Sequence, residues 1–301
     1  MSIKPLEGVV AVVAGATRGA GRGIAVKLGE AGATVYVTGR STKDRRSDLG
    51  RPETIDETAE LVAKAGGVGI PVKVDHSVPE QVKALFERVD REQRGRLDVL
   101  VNDVWGGEKL TEWGVPFWEQ SLEKGLLMQQ RAVHTHLITS RYGIPLMVKR
   151  GSGLVVEVTD GVDYRYRGSL YYSLAKISVI HLAQSLADEL RPRGVAAISL
   201  SPGFLRSEEM LDHFGVTKET WRDAASVDPH FLASETPSYI GAAVVALASD
   251  PRIMEKSGRS LGTWDCADEY GIVDEDGSRP HWGNYFRDVV LGGAGSSEQT
   301  P

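Results

Sequence analysis

The chain has 301 residues, 41% of them hydrophobic and 25% charged, which is an ordinary globular composition with enough apolar content for a large core. Its net charge of −6 and pI of about 5.7 supply no basic field, so neither nucleic acid nor an anionic membrane is an expected partner. With Cys266 as the single cysteine, an internal disulfide and a thiolate-built structural zinc are both excluded.

Met1-Ser2-Ile3-Lys4-Pro5 lacks the apolar run of a signal peptide, and no stretch approaches the ~20 apolar residues of a membrane span. A cytoplasmic location is expected. Val9 to Ala14 is a short β-branched run, as in a strand buried on both faces of a parallel sheet. It leads into Gly15-Ala16-Thr17-Arg18-Gly19-Ala20-Gly21 and then a helix closed by Gly32. Glycines in that order let the backbone approach a pyrophosphate, and the helix start offers free N–H groups to it. The spacing is G-x-x-x-G-x-G rather than the commoner G-x-G-x-x-G.

Thr34 to Thr38 reads as the second strand, followed by Gly39-Arg40. An acidic residue there would bind the ribose hydroxyls of NAD; Gly39, with Arg40 and Arg18, suits the 2′-phosphate of NADP instead. Residues 41–52 form a polar loop, 53–65 a helix, 69–74 a strand ending at Asp75-His76, 79–92 a helix and 97–102 a strand ending at Asn102. This alternation predicts a doubly wound parallel sheet with its ligand at the carboxyl ends of the strands.

Residues 103–118, with Trp105, Trp113 and Trp118, read as an insertion over the site. Residues 121–149 are largely helical with a break before Gln129; His134 and His136 do not share a helix face, so no metal pair is expected. Strands follow at 154–158 and 195–201, then a partly helical segment to Glu235, a helix over 237–249 and a strand near 259–262. The extension after Trp264 is rich in Gly, Asp and Ser and ends in a segment expected to be disordered. No repeat or second domain is visible, so residues 1–301 read as one domain.

Tyr172-Ser173-Leu174-Ala175-Lys176 opens a run whose apolar residues recur at helical spacing until Arg191-Pro192 and Gly194 stop it. Residues four apart share a face, so the Tyr172 phenol and the Lys176 ammonium point into one space. A free tyrosine has a pKa of about 10; acid/base work near neutrality asks for a shift of roughly three units, part of which an ammonium supplies.

The glycine loop, Asp75, Asn102, the Tyr172/Lys176 pair and Pro202-Gly203 occur together in register. On these residues the chain resembles the short-chain dehydrogenase/reductases from about Gly8 to Gly262, and within them the subgroup around member one of the animal dehydrogenase/reductase series. The subgroup likeness rests on Gly19 to Ala25, Ala31 to Tyr36, Gly95 to Asn102 and the extended tail. The resemblance implies an α/β Rossmann fold with a seven-stranded parallel sheet, hydride transfer between NAD(P) and an alcohol or carbonyl, and a homodimer or homotetramer. It implies Gly15, Thr17, Gly19 and Gly21 as the phosphate loop, Arg18 and Arg40 as NADP discriminators, and Asp75, with His76 and Asn102, on the cofactor side. Tyr172 becomes the acid/base and Lys176 its partner, which also holds the nicotinamide ribose; Pro202, Gly203, Phe204 and Ser207 form the nicotinamide-side loop.

Two catalytic positions depart from that pattern. The family's serine falls on Asp160 when registered on the strand and on Thr159 after a slip of one residue; Thr159 is slightly preferred because it keeps a hydroxyl. The family's asparagine in the long helix becomes Ala132 or a neighbour, with Gln129 and Gln130 one turn away. An ionised Asp160 beside Tyr172 would raise the tyrosine pKa and oppose Lys176. The leading expectation is an NADP-dependent oxidoreductase; the alternatives are a catalytically silent NADP-binding sensor or scaffold, and a lyase or epimerase using the nicotinamide transiently.

Overall fold

The computed structural model describes residues 4–46 and 50–292. Short apolar runs form the strands β1 (Val10–Ala14), β2 (Thr34–Gly39), β3 (Val68–Lys73), β4 (Val99–Asn102), β5 (Gly153–Val158), β6 (Val195–Ser201) and β7 (Ser260–Gly262). All seven pair in parallel in one sheet of order β3-β2-β1-β4-β5-β6-β7. β1, β4 and β6 are buried at every residue, which is why their sequences run apolar without alternation. Pro71, which cannot donate a ladder hydrogen bond, is confined to the edge strand β3.

The helices are α1 (Gly19–Glu30), α2 (Ile55–Lys64), α3 (Pro79–Gln93), α4 (Leu122–Gln129), α5 (Thr135–Arg150), α6 (Leu170–Leu190), α7 (Glu208–Phe214), α8 (Pro237–Ser249), α9 (Ile253–Lys256), α10 (Thr263–Tyr270) and α11 (Trp282–Tyr285). One apolar core joins the sheet to α1, α2 and α8; a second joins the opposite face to α3, α5 and α6. Strand order reverses between β1 and β4, so a crevice opens above their carboxyl ends.

Most sequence boundaries shift by a residue or two, with local causes. α2 starts at Ile55 because the Thr54 side chain accepts the Glu57 N–H at 3.1 Å. β4 starts at Val99 because Asp98 faces the other way, accepting the Val10 N–H at 2.8 Å and pairing with Arg96 and Arg150. The break in the long helix is a π turn over Gln130–His134, so it falls after Gln129 rather than before it. His134, the last residue of that turn, is exposed, and His136, at the start of α5, is buried.

The extension is more ordered than its composition suggests. Asp274 accepts from the Thr236 amide at 2.9 Å and hydroxyl at 2.5 Å and pairs with buried Arg206 at 3.4 Å, which ties the segment to the front of α8. The chain then runs through α11 and a π turn, Phe286–Leu291. The segment expected to be disordered lies, from residue 293 on, outside the described residues. Among the described residues no helix is long and apolar enough to cross a membrane.

Candidate active site

A cavity of about 1090 Å³ lies above the carboxyl ends of the central strands, at the upper end of the sizes usual for small-molecule and cofactor sites. Its wall brings together Gly15, Thr17, Arg18, Gly19, Arg40, Asp75, Thr159, Asp160, Tyr172, Lys176, Pro202, Gly203, Phe204 and Ser207, which the sequence scatters between positions 15 and 207.

At the glycine loop the backbone is packed against itself. A Cβ on Gly15 would fall 2.5 Å from the Asp103 carbonyl oxygen, and one on Gly21 would fall 2.4 Å from the Gly15 carbonyl oxygen. Gly21 is thus a packing residue beneath the loop. The Gly19 N–H, at the start of α1, donates to Glu208 Oε2 at 2.8 Å, and the Gly21 N–H donates to the Asp103 carboxyl, a half-buried group on the cavity wall. Two of the free amides of the helix terminus therefore hold carboxyl groups, Glu208 occupying an N–H of the kind that binds phosphate oxygens. Arg18 pairs with Glu108 at 3.3 Å, and Arg40 lies 4.0 Å from Asp75. The donor set fits an anionic dinucleotide.

Burial lifts the Asp103 carboxyl to about 7, with Lys176 pulling it back down. Asp75 closes a turn ahead of α3, accepting the Ser77 N–H at 3.0 Å and hydroxyl at 2.6 Å; against burial, which raises it, these bonds and the Arg40 charge hold its carboxyl below the ordinary range. His76 and Asn102, expected on the cofactor side, have their side chains committed elsewhere. The His76 ring bridges Thr38 and Thr139, each at 2.8 Å, and burial lowers its pKa to about 3, so it is neutral. Asn102 is fully buried below the cavity, donating to Glu157 at 2.8 Å and Ser140 at 2.9 Å.

The expected acid/base pair sits near the end of β5, in the first two turns of α6. The Tyr172 hydroxyl donates to Asp160 Oδ2 at 2.8 Å. Thr159 points the other way: its hydroxyl donates to the Lys176 carbonyl at 2.7 Å, and the residue is 3% exposed. Both residues line the cavity, but the hydroxyl preferred for the serine's place is engaged by the α6 backbone, and it is Asp160 that the Tyr172 hydroxyl meets. Burial, then the Asp160 charge, raises the Tyr172 pKa well above 10. Burial lowers that of Lys176, against Asp160 and Asp103, which raise it. Lys176 Nζ lies 3.9 Å from the centre of the Trp105 ring, a cation–π contact, and Trp105 and Trp113 pack on Tyr172 at 5.4 and 5.0 Å.

Ala132 is buried inside the π turn and offers no polar group; Gln130 lines the cavity, while Gln129 donates to the Tyr171 carbonyl at 2.8 Å. Of the tryptophans in the insertion, Trp105 and Trp113 line the cavity and Trp118 is 81% exposed.

Several contributors were not singled out from sequence. His136 links the Glu157 carboxylate at 2.6 Å to the Val104 carbonyl at 3.1 Å, which orders the start of the insertion. Buried Glu235 accepts from the Gly203 N–H at 2.9 Å and the Thr263 hydroxyl at 2.6 Å, and burial lifts its carboxyl to about 8. Trp282 and Val290 of the extension close the cavity, Trp282 packing edge-on against Phe204 at 5.7 Å. A carboxyl residue inside an apolar run, as in Leu-Val-Val-Glu157-Val, was the one visible signal for this group.

The family profile described as short chain dehydrogenase matches residues 9–215 of this chain. The chain belongs to the short-chain dehydrogenase/reductase family. It is 39% identical over 279 residues to mouse dehydrogenase/reductase SDR family member 1, covering 91% of this chain and 86% of that protein. To the human protein of the same name it is 38% identical over 277 residues, covering 91% and 85%. A short-chain dehydrogenase of Mycobacterium thermoresistibile shares the fold with a TM-score of 0.76 at 23% identity, covering 92% of each chain. A protein of Beutenbergia cavernae, described as an NAD(P)-dependent gluconate 5-dehydrogenase and solved with NADP at low occupancy, shares it with a TM-score of 0.68 at 24% identity, covering 87% of this chain and 97% of that one. Short-chain dehydrogenase/reductases are oxidoreductases, and this chain is one of them by family and fold.

Proposed function

We propose that this oxidoreductase prefers NADP over NAD and transfers hydride between the nicotinamide and a small carbonyl- or alcohol-type substrate, with Tyr172 and Lys176 at the reacting carbon. The observation that carries the reading is the convergence of Tyr172, Asp160 and Lys176 in the same cavity as a helix terminus whose amide already holds an anionic oxygen. When bound, the nicotinamide supplies the two-electron hydride donor or acceptor.

The Gly19 amide and the α1 terminus would hold the pyrophosphate in place of Glu208. Arg18 and Arg40 would hold the 2′-phosphate, and Gly39 offers no side-chain acceptor to a ribose hydroxyl. Tyr172 holds the transferable proton at its hydroxyl, with Asp160 as the hydrogen-bond acceptor beside it. Lys176 keeps positive charge behind the phenol, and Trp105 and Trp113 exclude water from that end.

Fluorescence titration with NADPH and NADH tests the cofactor choice. NADPH should bind at least about tenfold more tightly, with Arg40→Asp removing most of the difference. Equal affinities would sink the assignment. NADPH binding without turnover of aldehydes, ketones or quinones would favour the silent reading, for which the commitment of the Tyr172 hydrogen to Asp160 is the supporting observation.

We also propose a cytoplasmic homodimer or homotetramer. Leu126, Leu137 and Leu174 on α4, α5 and α6 are 57%, 47% and 49% exposed, which supports a covered face along these helices. Light scattering at micromolar concentration should report more than a monomer.

A further inference from the structure

The group that faces Tyr172 is a carboxylate where the family's reaction uses a neutral hydroxyl donor, and this changes which substrate the cavity can process. Reduction of a ketone builds negative charge on the carbonyl oxygen, so the site must present hydrogen-bond donors to that oxygen. Here Asp160 is an acceptor, and it draws the Tyr172 hydrogen to itself at 2.8 Å. Arg167 does not cancel the charge through a hydrogen bond. Its Nε, Nη1 and Nη2 donate to the backbone carbonyls of Asp160, Arg165 and Asp163 at 2.7, 2.7 and 2.6 Å, and it comes only to 3.9 Å of Asp160 Oδ2. The Asp160 side chain remains 46% exposed, opening into the cavity. Trp105, Trp113, Phe204 and Trp282 line the same space, and aromatic faces attract cations.

We infer that the substrate carries its reacting carbon in a cationic C=N group, an iminium ion or protonated imine, which is reduced to the amine with Asp160 as the counter-charge. This rests on the hydride-transfer reading above and replaces its substrate class. The balance suits the site. The iminium carbon gains a hydride and forms a C–H bond, while the π pair of the C=N bond becomes the nitrogen lone pair. The reductant, a dihydronicotinamide, loses two electrons and takes over the positive charge. No proton is taken up, so the engaged Tyr172 hydrogen is no obstacle. For a neutral imine, Asp160 also favours the protonated, electrophilic form.

The test compares the N-methyl dihydroisoquinolinium ion with tetralone, a neutral ketone of the same bicyclic shape. Binding of each is read without cofactor through the tryptophan fluorescence of the cavity, and NADPH oxidation is read separately. The wild type should bind the cation at least roughly tenfold more tightly than tetralone and reduce it faster. Asp160→Ser and Asp160→Asn should lower affinity for the cation by a similar factor, leave that for tetralone unchanged or improved, and move NADPH oxidation towards the ketone. Equal or tighter binding of tetralone by the wild type, or a ratio unmoved in Asp160→Ser, would overturn the inference. NADPH affinity measured with neither probe present separates the two claims: its loss points to the hydride-transfer reading, and its retention with no cation preference points to this one alone.

Discussion

The Asp160 carboxylate and the Tyr172 hydroxyl, 2.8 Å apart, set the chemistry of the site at the scale of single residues. Burial raises the tyrosine pKa and the Asp160 charge adds to it, so replacing the charge should lower it. In Asp160→Asn the limb of the kcat/KM profile that reports the phenol should move to lower pH; a limb that stays put would detach the pair. Tyr172→Phe should reduce turnover of a ketone or alcohol by roughly the 10² to 10⁴ expected for loss of an acid/base group, and that of a preformed iminium ion, which takes up no proton, far less. Thr159→Ala, in contrast, removes a bond to the Lys176 carbonyl and should cost about 1 kcal/mol of stability with only a severalfold change in turnover. A loss of 10² or more in Thr159→Ala would restore it to the substrate side.

Among the elements, α7 has a part that its sequence does not announce. Glu208 opens that helix and caps the start of α1 through the Gly19 N–H, with Arg22 at 3.6 Å from its other oxygen. One amide cannot serve a carboxylate and a phosphate together, so Glu208 competes with the pyrophosphate. Glu208→Gln keeps the shape and weakens a charge-assisted hydrogen bond worth about 1.5–3 kcal/mol, so NADPH should bind several-fold more tightly. Unchanged or weaker binding in a titration would show that Glu208 supports the dinucleotide site instead of blocking it. Glu108 on Arg18 is the same kind of contact, made by the insertion.

For the whole molecule, the loop before α7, the segment before α8 and the start of α10 meet at Glu235, whose Oε1 has no partner among the described residues. Its carboxyl is raised to about 8 by burial, so the folded state keeps a proton that the unfolded state releases above about 4.5. Stability from this group is complete at low pH and is lost as pH rises from about 4.5 to about 8, up to about 5 kcal/mol in all. Asp103, raised to about 7, adds a slope of the same sign. Denaturant midpoints should therefore fall between pH values of about 5.5 and 8, and Glu235→Gln should flatten that fall. An equal fall in the variant would mean that Glu235 is ionised throughout.

The sheet and its helices were legible in the sequence because both rest on local periodicity: β-branched runs bounded by glycines, and helical stripes ended by Gly32 and Gly194. The glycine loop, Tyr172 and Lys176 were legible for the same reason, each being a short motif on one element. What tertiary structure decided are contacts between distant segments. Glu208 reaches Gly19 across 189 positions, and Arg206 finds Asp274 across 68. The choice between Thr159 and Asp160 belongs here too: one residue of register turns a side chain to the opposite face, and only the pairing of β5 with its neighbours fixes which residue meets Tyr172.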